Sequence, residues 1–333
     1  MGTMPRPSVC VRPMARRAAA ATLALIPTGC AGRQSALAPF GAEAQSTFTL
    51  TVAMAAAFAL VTLAVLWLAW HAWRSPPERL APAAGMRMVL WLGAIIPAIA
   101  LGIMLVLSLP TMRALPVADQ DLRIAVDGEQ YWWRVRYAPP GGPAVETANE
   151  VRVPVGRTVA FALASPDVIH SFWIPGLAGK VDMIPGRTNE LVVRATRPGT
   201  FRGVCAEFCG LSHAKMAFDV IAMPAAEFDR WLAGAARPAA AIAGAGRALF
   251  EDYGCGGCHV VRGHRPGNPI GPDLTHFGAR RSLGAGTLPM EREAIAAFIR
   301  NPAAAKPGAL MPAFPGMSAA DANAIAAYLE ALR

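Results

Sequence analysis

Charge is scarce in this sequence. Only 16% of the 333 residues are Asp, Glu, Lys or Arg, while 54% are hydrophobic. A soluble globule is usually about one-quarter charged, so this balance points to a membrane protein with soluble parts. A basic block is also missing. The formal charge is +9, but Arg6, Arg12, Arg16 and Arg17 fall within the first 29 residues, where there is no acid. The remaining bases are dispersed, which gives a nucleic-acid partner little support. Cysteine is sparse. Cys10 and Cys30 stand near the N-terminus, and Cys205/Cys209 and Cys255/Cys258 form two close pairs. This spacing is not that of a small disulfide framework. Each pair has a histidine nearby, which points to metal or cofactor attachment.

Residues 1–29 read as a secretory signal peptide: arginines, then the apolar run Ala18–Ile26, then Thr28 and Gly29 before Cys30. Two readings of Cys30 stay open, a lipidated N-terminus and an idle cysteine beside an ordinary cleavage site. Pro27 stands where lipoprotein signals usually carry leucine. Thr49–Trp70 and Met88–Leu109 are then two uncharged apolar segments. At about 1.5 Å per residue each reaches roughly 33 Å, enough for a hydrocarbon core of about 30 Å. Pro97 should kink the second without breaking it. The short connection holds Arg74, Arg79 and Arg87 against Glu78, with Trp67, Trp70, Trp73 and Trp91 at the adjoining ends. By the positive-inside rule it faces the cytoplasm, and everything after Leu109 lies on the other side. The expected location is a bacterial-type inner (plasma) membrane, multi-pass, with the soluble parts on the periplasmic side.

From Leu122 the hydrophobic period shortens. Leu122–Val126, Tyr131–Tyr137, Glu150–Val153, Thr158–Leu163, Asn189–Arg194, Thr200–Val204 and Ala217–Ala222 read as strands, with turns at Asp127-Gly128 and Pro139–Gly142. Such spacing suggests a β-sandwich or barrel. The Ala-rich residues 234–243 read as a linker. Helices are expected from near Gly244 to Tyr253, from near Glu291 to before Pro302, and from Ser318 to the end, with Asp321 completing a capping box. The expected division is a signal at 1–29, a membrane hairpin within 30–116, a β-domain at 117–233, a linker, and a helical domain at 244–333.

The densest chemistry is Cys205-x-Glu207-x-Cys209-x3-His213-x2-Met216, preceded by Asp167-x2-His170-Ser171-x-Trp173. Thiolate and thioether suit soft Cu(I), and imidazole suits both copper states. Two cysteines four apart on a tight loop can bridge two metal ions, with one histidine and one weak ligand completing each. A structural zinc site or a disulfide is the plainer alternative, and zinc would have no use for Met216. Separately, Cys255-x2-Cys258-His259 fits the attachment signature of c-type haem. A methionine follows in the Pro-rich loop Lys306-Pro307-Gly308-Ala309-Leu310-Met311-Pro312. Pro307 and Pro312 would hold that loop rigid, which favours Met311 as the sixth iron ligand over Met317 and Met290. His264 and His276 are further rivals.

The first motif resembles the dinuclear copper (CuA) site of cytochrome c oxidase subunit II. Lys180-x-Asp182-x2-Pro185-Gly186-Arg187 and the aromatic run Gln130-Tyr131-Trp132-Trp133 also resemble that family, over roughly residues 45–230. The C-terminal part resembles a class I cytochrome c, including Gly271-Pro272-Asp273-Leu274. The resemblance implies a two-helix transmembrane hairpin, an all-β cupredoxin-like barrel and an all-α cytochrome c domain. It implies that Cys205 and Cys209 bridge the coppers and that His170 and His213 are terminal ligands. Met216 and the Glu207 carbonyl would be weak ligands, and the Glu207 carboxylate would reach a magnesium ion beside subunit I. Cys255, Cys258 and His259 would hold haem c, with Met311 opposite. Electrons would pass from an external donor such as cytochrome c through haem c and CuA to subunit I, where oxygen is reduced; subunit III is a further expected partner. No catalytic residue is expected in this chain itself.

Two features depart from the family. It usually starts the aromatic run with the tryptophan thought to receive the electron, and here Tyr131 stands there, followed by Trp132 and Trp133. The glutamate many members carry near the start of the second membrane helix is absent from Arg87–Trp91. Three rivals are a membrane-anchored copper chaperone, a quinol oxidase subunit lacking copper ligands, and a free-standing electron carrier.

Overall fold

The computed structural model describes residues 32–76, 82–112, 122–139, 141–142, 144–264 and 267–333. The expected signal, Cys10, Cys30, the loop residues Glu78 and Arg79, and residue 117 lie outside the described residues.

Two long apolar helical rods open the described chain. Helix α1 spans Ala42–Arg74. The second rod is α2 (Pro82–Leu90), a π-helical turn (Trp91–Ile95) and α3 (Ile96–Ser108). The π turn is the local answer to Pro97. That residue has no N–H for the carbonyl one turn back and its ring crowds that carbonyl, so the helix widens just before it. The most apolar stretches of both rods are unburied by the rest of the chain. Leu60, Leu63, Leu101, Leu105 and Val106 are all exposed. So continuous an apolar surface is tolerable only against lipid or another protein.

The start of α1 is tied to the β-domain. Phe40 stacks on Phe201 at 3.5 Å between ring centroids. Its amide donates to the Gly176 carbonyl at 2.7 Å, and its own carbonyl accepts the Thr196 amide. Arg33 pairs with Asp219. That end of α1 is therefore held beside the β-domain, as the expected two-helix hairpin requires.

The β-domain packs two five-stranded sheets. One runs in the order β3 (Val145–Ala148), β2 (Trp132–Ala138), β1 (Leu122–Glu129), β5 (Thr158–Ala164), β8 (Asn189–Arg194). The other runs β4 (Glu150–Pro154), β10 (Ala217–Met223), β9 (Gly199–Cys205), β6 (His170–Trp173), β7 (Val181–Met183). β1–β5 and β10–β4 are parallel pairs, and the other pairs in these sheets are antiparallel. This is the cupredoxin-like arrangement that the resemblance implies. Strand alternation builds the core: in β1, Leu122, Ile124 and Val126 point inward while Arg123 points out. Trp133, Phe172 and Phe218 form its aromatic centre, with Phe172 and Phe218 stacked at 4.8 Å and Trp133 5.0 Å from Phe218.

One turn is misplaced by sequence reasoning. Asp127 and Gly128 lie inside β1, paired with Arg134 and Trp133, and the chain reverses at Gln130-Tyr131 instead. Gly128 serves a neighbour rather than a turn: a Cβ there would stand 2.9 Å from the His170 imidazole. β3, β6 and β7 escape sequence reading because three or four residues carry too little alternation. The helix α4 (Ala225–Ala235) was not expected, and it buries Phe228 and Leu232.

The C-terminal domain has a separate core. Helices α5 (Ala245–Asp252), α6 (Arg292–Arg300), α7 (Pro302–Ala305) and α8 (Ala319–Ala331) bring Phe250, Ile295, Ile299, Ile325, Tyr328 and Leu329 together. α5 and α8 cross closely at Gly246, where a Cβ would stand 2.1 Å from the Ala324 carbonyl oxygen. Ser318 caps α8 by accepting the Asp321 amide at 3.0 Å. The Asp321 carboxylate accepts from the Tyr253 hydroxyl at 2.9 Å, so it also holds α5 to α8.

Candidate metal and haem sites

The first site is built where β6 and β9 lie side by side, with Phe172 opposite Cys205. β6 presents His170 at its first residue, and β9 ends on Cys205. The chain then turns through residues 206–212 and a 3-10 turn (His213–Lys215) before re-entering β10. The loop closes on itself, because the Cys205 amide donates to the Met216 carbonyl at 2.9 Å.

These elements bring together all six groups that the motif singles out. Cys205 Sγ lies 3.8 Å from His170 Nδ1, 3.8 Å from Cys209 Sγ and 3.2 Å from the Glu207 carbonyl oxygen. Cys209 Sγ lies 3.7 Å from His213 Nδ1 and 3.8 Å from Met216 Sδ. Two donors that share an ion at about 2.3 Å with tetrahedral angles stand roughly 3.8 Å apart, so the set fits bound metal. The two cysteines are free thiols, which removes the disulfide reading. The donors are soft and buried, with Cys205, Cys209 and Met216 at 6%, 4% and 1% exposure. The Cys209 thiol beside Cys205 holds the Cys205 thiol well below its ordinary value and so favours a thiolate there.

Second-layer contacts fix the donors. Asp167 Oδ1 lies 2.8 Å from His170 Nε2. A carboxylate only accepts, so the proton sits on Nε2, and Nδ1 turns its lone pair toward the sulfurs. Burial pushes the Asp167 carboxyl up, but the Val168 and Gln130 amides and His170 together hold it below its ordinary value. Gln130 Nε2 donates to the Cys209 carbonyl at 2.6 Å. The Tyr131 hydroxyl accepts the Leu211 amide at 3.1 Å. The Glu207 carboxylate turns outward, 3.8 Å from Lys180.

The three aromatic residues separate. Trp133 is fully buried in the core, 6.3 Å from the His170 ring. Trp132 lies on the opposite face of β2 under the Arg134 guanidinium, at 4.7 Å. Tyr131 is only 6% exposed and lies over the metal loop.

In the C-terminal domain a 3-10 turn (Cys255–Gly257) follows α5. The His259 amide donates to the Cys255 carbonyl at 3.0 Å, which folds the two cysteines and the histidine into one turn. His259 Nδ1 lies 2.8 Å from the Pro272 carbonyl. Only an N–H can meet a carbonyl, so Nε2 is left with a lone pair for a metal. Burial holds this imidazole below its ordinary value and thus neutral. Gly271 lies against the ring, where a Cβ would stand 2.7 Å from His259 Cε1. A cavity of about 290 Å³ adjoins this turn, lined by Phe250, Gly256, Gly257, His259 and Tyr328 among others. Free Cys255 and Cys258, beside a histidine with its outer nitrogen available, fit covalent haem.

The rivals of Met311 have other engagements. Met317 is 2% exposed within the domain core, and Met290 packs against that core. His264 Nδ1 accepts the Tyr328 hydroxyl at 2.7 Å, and His276 Nε2 lies 3.1 Å from the Arg237 carbonyl. Met311 stands in the loop after α7, half-buried. Sequence reasoning passed over Lys306 in that same loop, as well as the orienting parts of Asp167 and Gln130. A charged residue at 3% exposure cannot be recognised from sequence.

Comparison with known proteins gives concordant matches. The family described as "Cytochrome C oxidase subunit II, periplasmic domain" matches residues 139–223, and "Cytochrome c" matches residues 243–333. Cytochrome c oxidase subunit 2 of Alkalihalophilus pseudofirmus is 36% identical over 333 residues, covering 93% of this chain and 95% of the relative. The Bacillus subtilis protein of the same name is 33% identical over 65% of this chain and 64% of its own length. The solved periplasmic domain of subunit II of cytochrome oxidase from Bradyrhizobium japonicum is 32% identical. It covers 36% of this chain and 96% of that one, at a TM-score of 0.33.

Proposed function

Because the chain belongs to the cytochrome c oxidase subunit II family, we propose that it carries electrons from an external donor, by way of haem c and dinuclear CuA, to subunit I of a haem-copper terminal oxidase. The coarser part of this reading stands on the family itself. The chain is an electron-transfer subunit of an oxidoreductase complex, its two domains imply copper and haem c, and apolar helices anchor it in a membrane.

The observation that carries the finer part is the ring of donors. Two thiols 3.8 Å apart each have an imidazole at 3.7–3.8 Å, with Met216 and the Glu207 carbonyl completing the set. When bound, a thiolate-bridged copper pair and a haem iron supply one-electron chemistry. The chain's own residues supply the rest. Cys205, Cys209, His170, His213, Met216 and the Glu207 carbonyl would hold the copper. Burial of the sulfurs keeps water away from them. Asp167, Gln130 and Tyr131 hold the loop so that little moves on reduction. Cys255 and Cys258 would hold haem c covalently, and His259 and Met311 would ligate its iron. The Glu207 carboxylate, facing out beside Lys180, would be placed to hold magnesium at the contact with subunit I.

Two observations weigh against a copper chaperone. A delivery protein gains from accessible ligands, whereas these sulfurs are buried, and it has no use for a haem domain. A free-standing carrier differs only in partners, and co-purification of a multi-helix haem subunit decides against it. A metal and haem count with electron paramagnetic resonance on the full chain tests the sites. Two coppers sharing one unpaired electron and one covalent haem are expected. A single copper, or zinc, in an intact fold would overturn CuA.

A further inference from the structure

The two domains meet along one continuous interface, and a buried lysine lies at its centre. Lys306, just after α7, is 3% exposed although it carries an ammonium. Its Nζ donates to the carbonyls of Tyr131, Lys215 and Gly284, the last two at 3.0 Å. The ammonium has three N–H donors and meets three acceptors, so it is fully satisfied without a carboxylate. Two acceptors belong to the β-domain, one at the aromatic run and one beside Met216. Burial pushes the ammonium down, to about 7.

The surrounding contacts repeat the same register. Ser212 Oγ donates to the Pro307 carbonyl at 2.8 Å, and Lys215 Nζ donates to the Ala305 carbonyl. Gly308 has φ +78° and lies on the Tyr131 ring, where a Cβ would stand 3.3 Å from Cε2. On the other side, Arg134 Nη2 donates to the Ile270 carbonyl at 3.1 Å, next to the Gly271 that packs on His259. The loop bearing Met311 and the loop packed on His259 thus both land on residues 131–134. Farther along, the Ala217 amide donates to the Ala285 carbonyl at 3.0 Å, and Ser282 Oγ donates to Asp219 at 2.8 Å.

We propose that Lys306 is a positioning residue that latches the Met311 loop onto the copper loop and Tyr131, so that this chain's own haem domain, and no external protein, occupies that face of the copper domain. Stripping water from an ammonium opposes association, so Lys306 is poor glue. Its value is register, since three convergent carbonyls are met only when residues 302–311 sit in one place. This inference rests on the electron-transfer reading above and deepens it by assigning the partner at Tyr131. An external donor then has to deliver to the haem domain.

The test uses the assembled oxidase, wild type and Lys306→Met, which keeps chain length and removes the charge. Covalent haem absorbance and the copper resonance signal check that both sites are loaded. Amide hydrogen exchange is followed over residues 131–134, 211–217 and 302–311, together with the rate of copper reduction after photoreduction of the haem. Lys306→Met is expected to speed exchange on both faces at least tenfold and to slow transfer at least tenfold, with both sites still loaded. Lys306→Arg should restore part of each. Unchanged exchange and transfer would overturn the latch. Should the variant not assemble, tyrosine-selective nitration of the wild-type oxidase decides: Tyr131 is expected to stay unmodified, and its ready nitration overturns the proposal. If wild-type copper receives no electron from the haem while Tyr131 stays protected, the electron-transfer reading fails and the latch stands.

Discussion

Replacing Asp167 by Asn separates orientation of the copper ligands from the ligands themselves. The carboxylate uses both oxygens. Oδ1 faces His170 Nε2 at 2.8 Å and accepts the Val168 amide at 2.6 Å, while Oδ2 accepts the Gln130 amide at 2.7 Å. Asparagine turns one of these acceptors into an NH2. If that group takes the Oδ1 position, it confronts the imidazole N–H and the Val168 amide, and His170 loses the contact that aims Nδ1 at Cys205. If it takes the Oδ2 position, His170 is kept, but the Gln130 amide is stranded, and Gln130 is the residue whose side chain holds the Cys209 carbonyl. Neither rotamer spares the site. The Gln130 amide meets Asp167 at an exposed site, so water can take over part of the lost bond and the cost falls below the about 1–3 kcal/mol of a buried donor. Losing a carboxylate behind a ligating histidine typically lowers metal affinity about 10–100-fold, which is about 1.4–2.8 kcal/mol. The route that loses the His170 contact therefore sets the expected loss of affinity. Competitive copper titration of the full chain against a chelator measures it, and a thermal melt confirms the fold. Wild-type copper affinity together with an unaltered paramagnetic signal would refute the orienting part assigned to Asp167.

Met311→Ala is expected to leave haem attached through Cys255 and Cys258 but to lower its reduction potential, because a thioether favours ferrous iron. A redox titration with an unchanged midpoint would remove Met311 from the ligand set. Gly203→Ala should destabilise the β-domain without touching a ligand. Its Cβ would fall 2.1 Å from Phe218 Cζ, on a ring pinned by Phe172 and Trp133. Overpacking of this kind costs about 1–3 kcal/mol, readable as a lower midpoint in urea, and an unshifted midpoint would show that the ring yields freely.

Much of this protein was legible because its signals are periodic or covalently constrained. The apolar runs are long enough that chemistry leaves few choices, and the seven expected strands all lie within observed ones to about a residue. The proposed donors could be read as one group because the loop holding Cys205, Glu207, Cys209, His213 and Met216 is a single stretch of twelve residues. His170 stands out in the sequence as a second histidine upstream of the loop and takes its ligand role from the resemblance, while its physical placement depends on β6 pairing with β9, which a four-residue strand does not advertise. Gly128 misled for a related reason. Asp-Gly is a sound turn signal, but here the glycine is needed because a histidine from another strand crosses directly over it. Lys306 could not be read at all. Lysine is almost always a surface residue, and only the meeting of two domains gives this one its three carbonyls.

The same meeting accounts for the tyrosine at the head of the aromatic run. Tryptophan offers only a donor N–H, so at position 131 it could not accept the Leu211 amide. Tyrosine can, and Leu211 lies between the proposed ligands Cys209 and His213, so the hydroxyl holds the loop from above while Gln130 holds it from the side. Gly210 allows the approach, since a Cβ there would stand 2.5 Å from the Tyr131 hydroxyl oxygen. The outer edge of the ring meets Gly308 of the haem domain, and the Tyr131 carbonyl meets Lys306. A residue that must welcome a passing protein has to be open to water. One that frames the copper loop on one side and seats a tethered domain on the other can be closed. At 6% exposure Tyr131 is of the second kind. Tethering makes this workable, because a domain on the same chain is always at high effective concentration and needs no exposed landing surface to find its place.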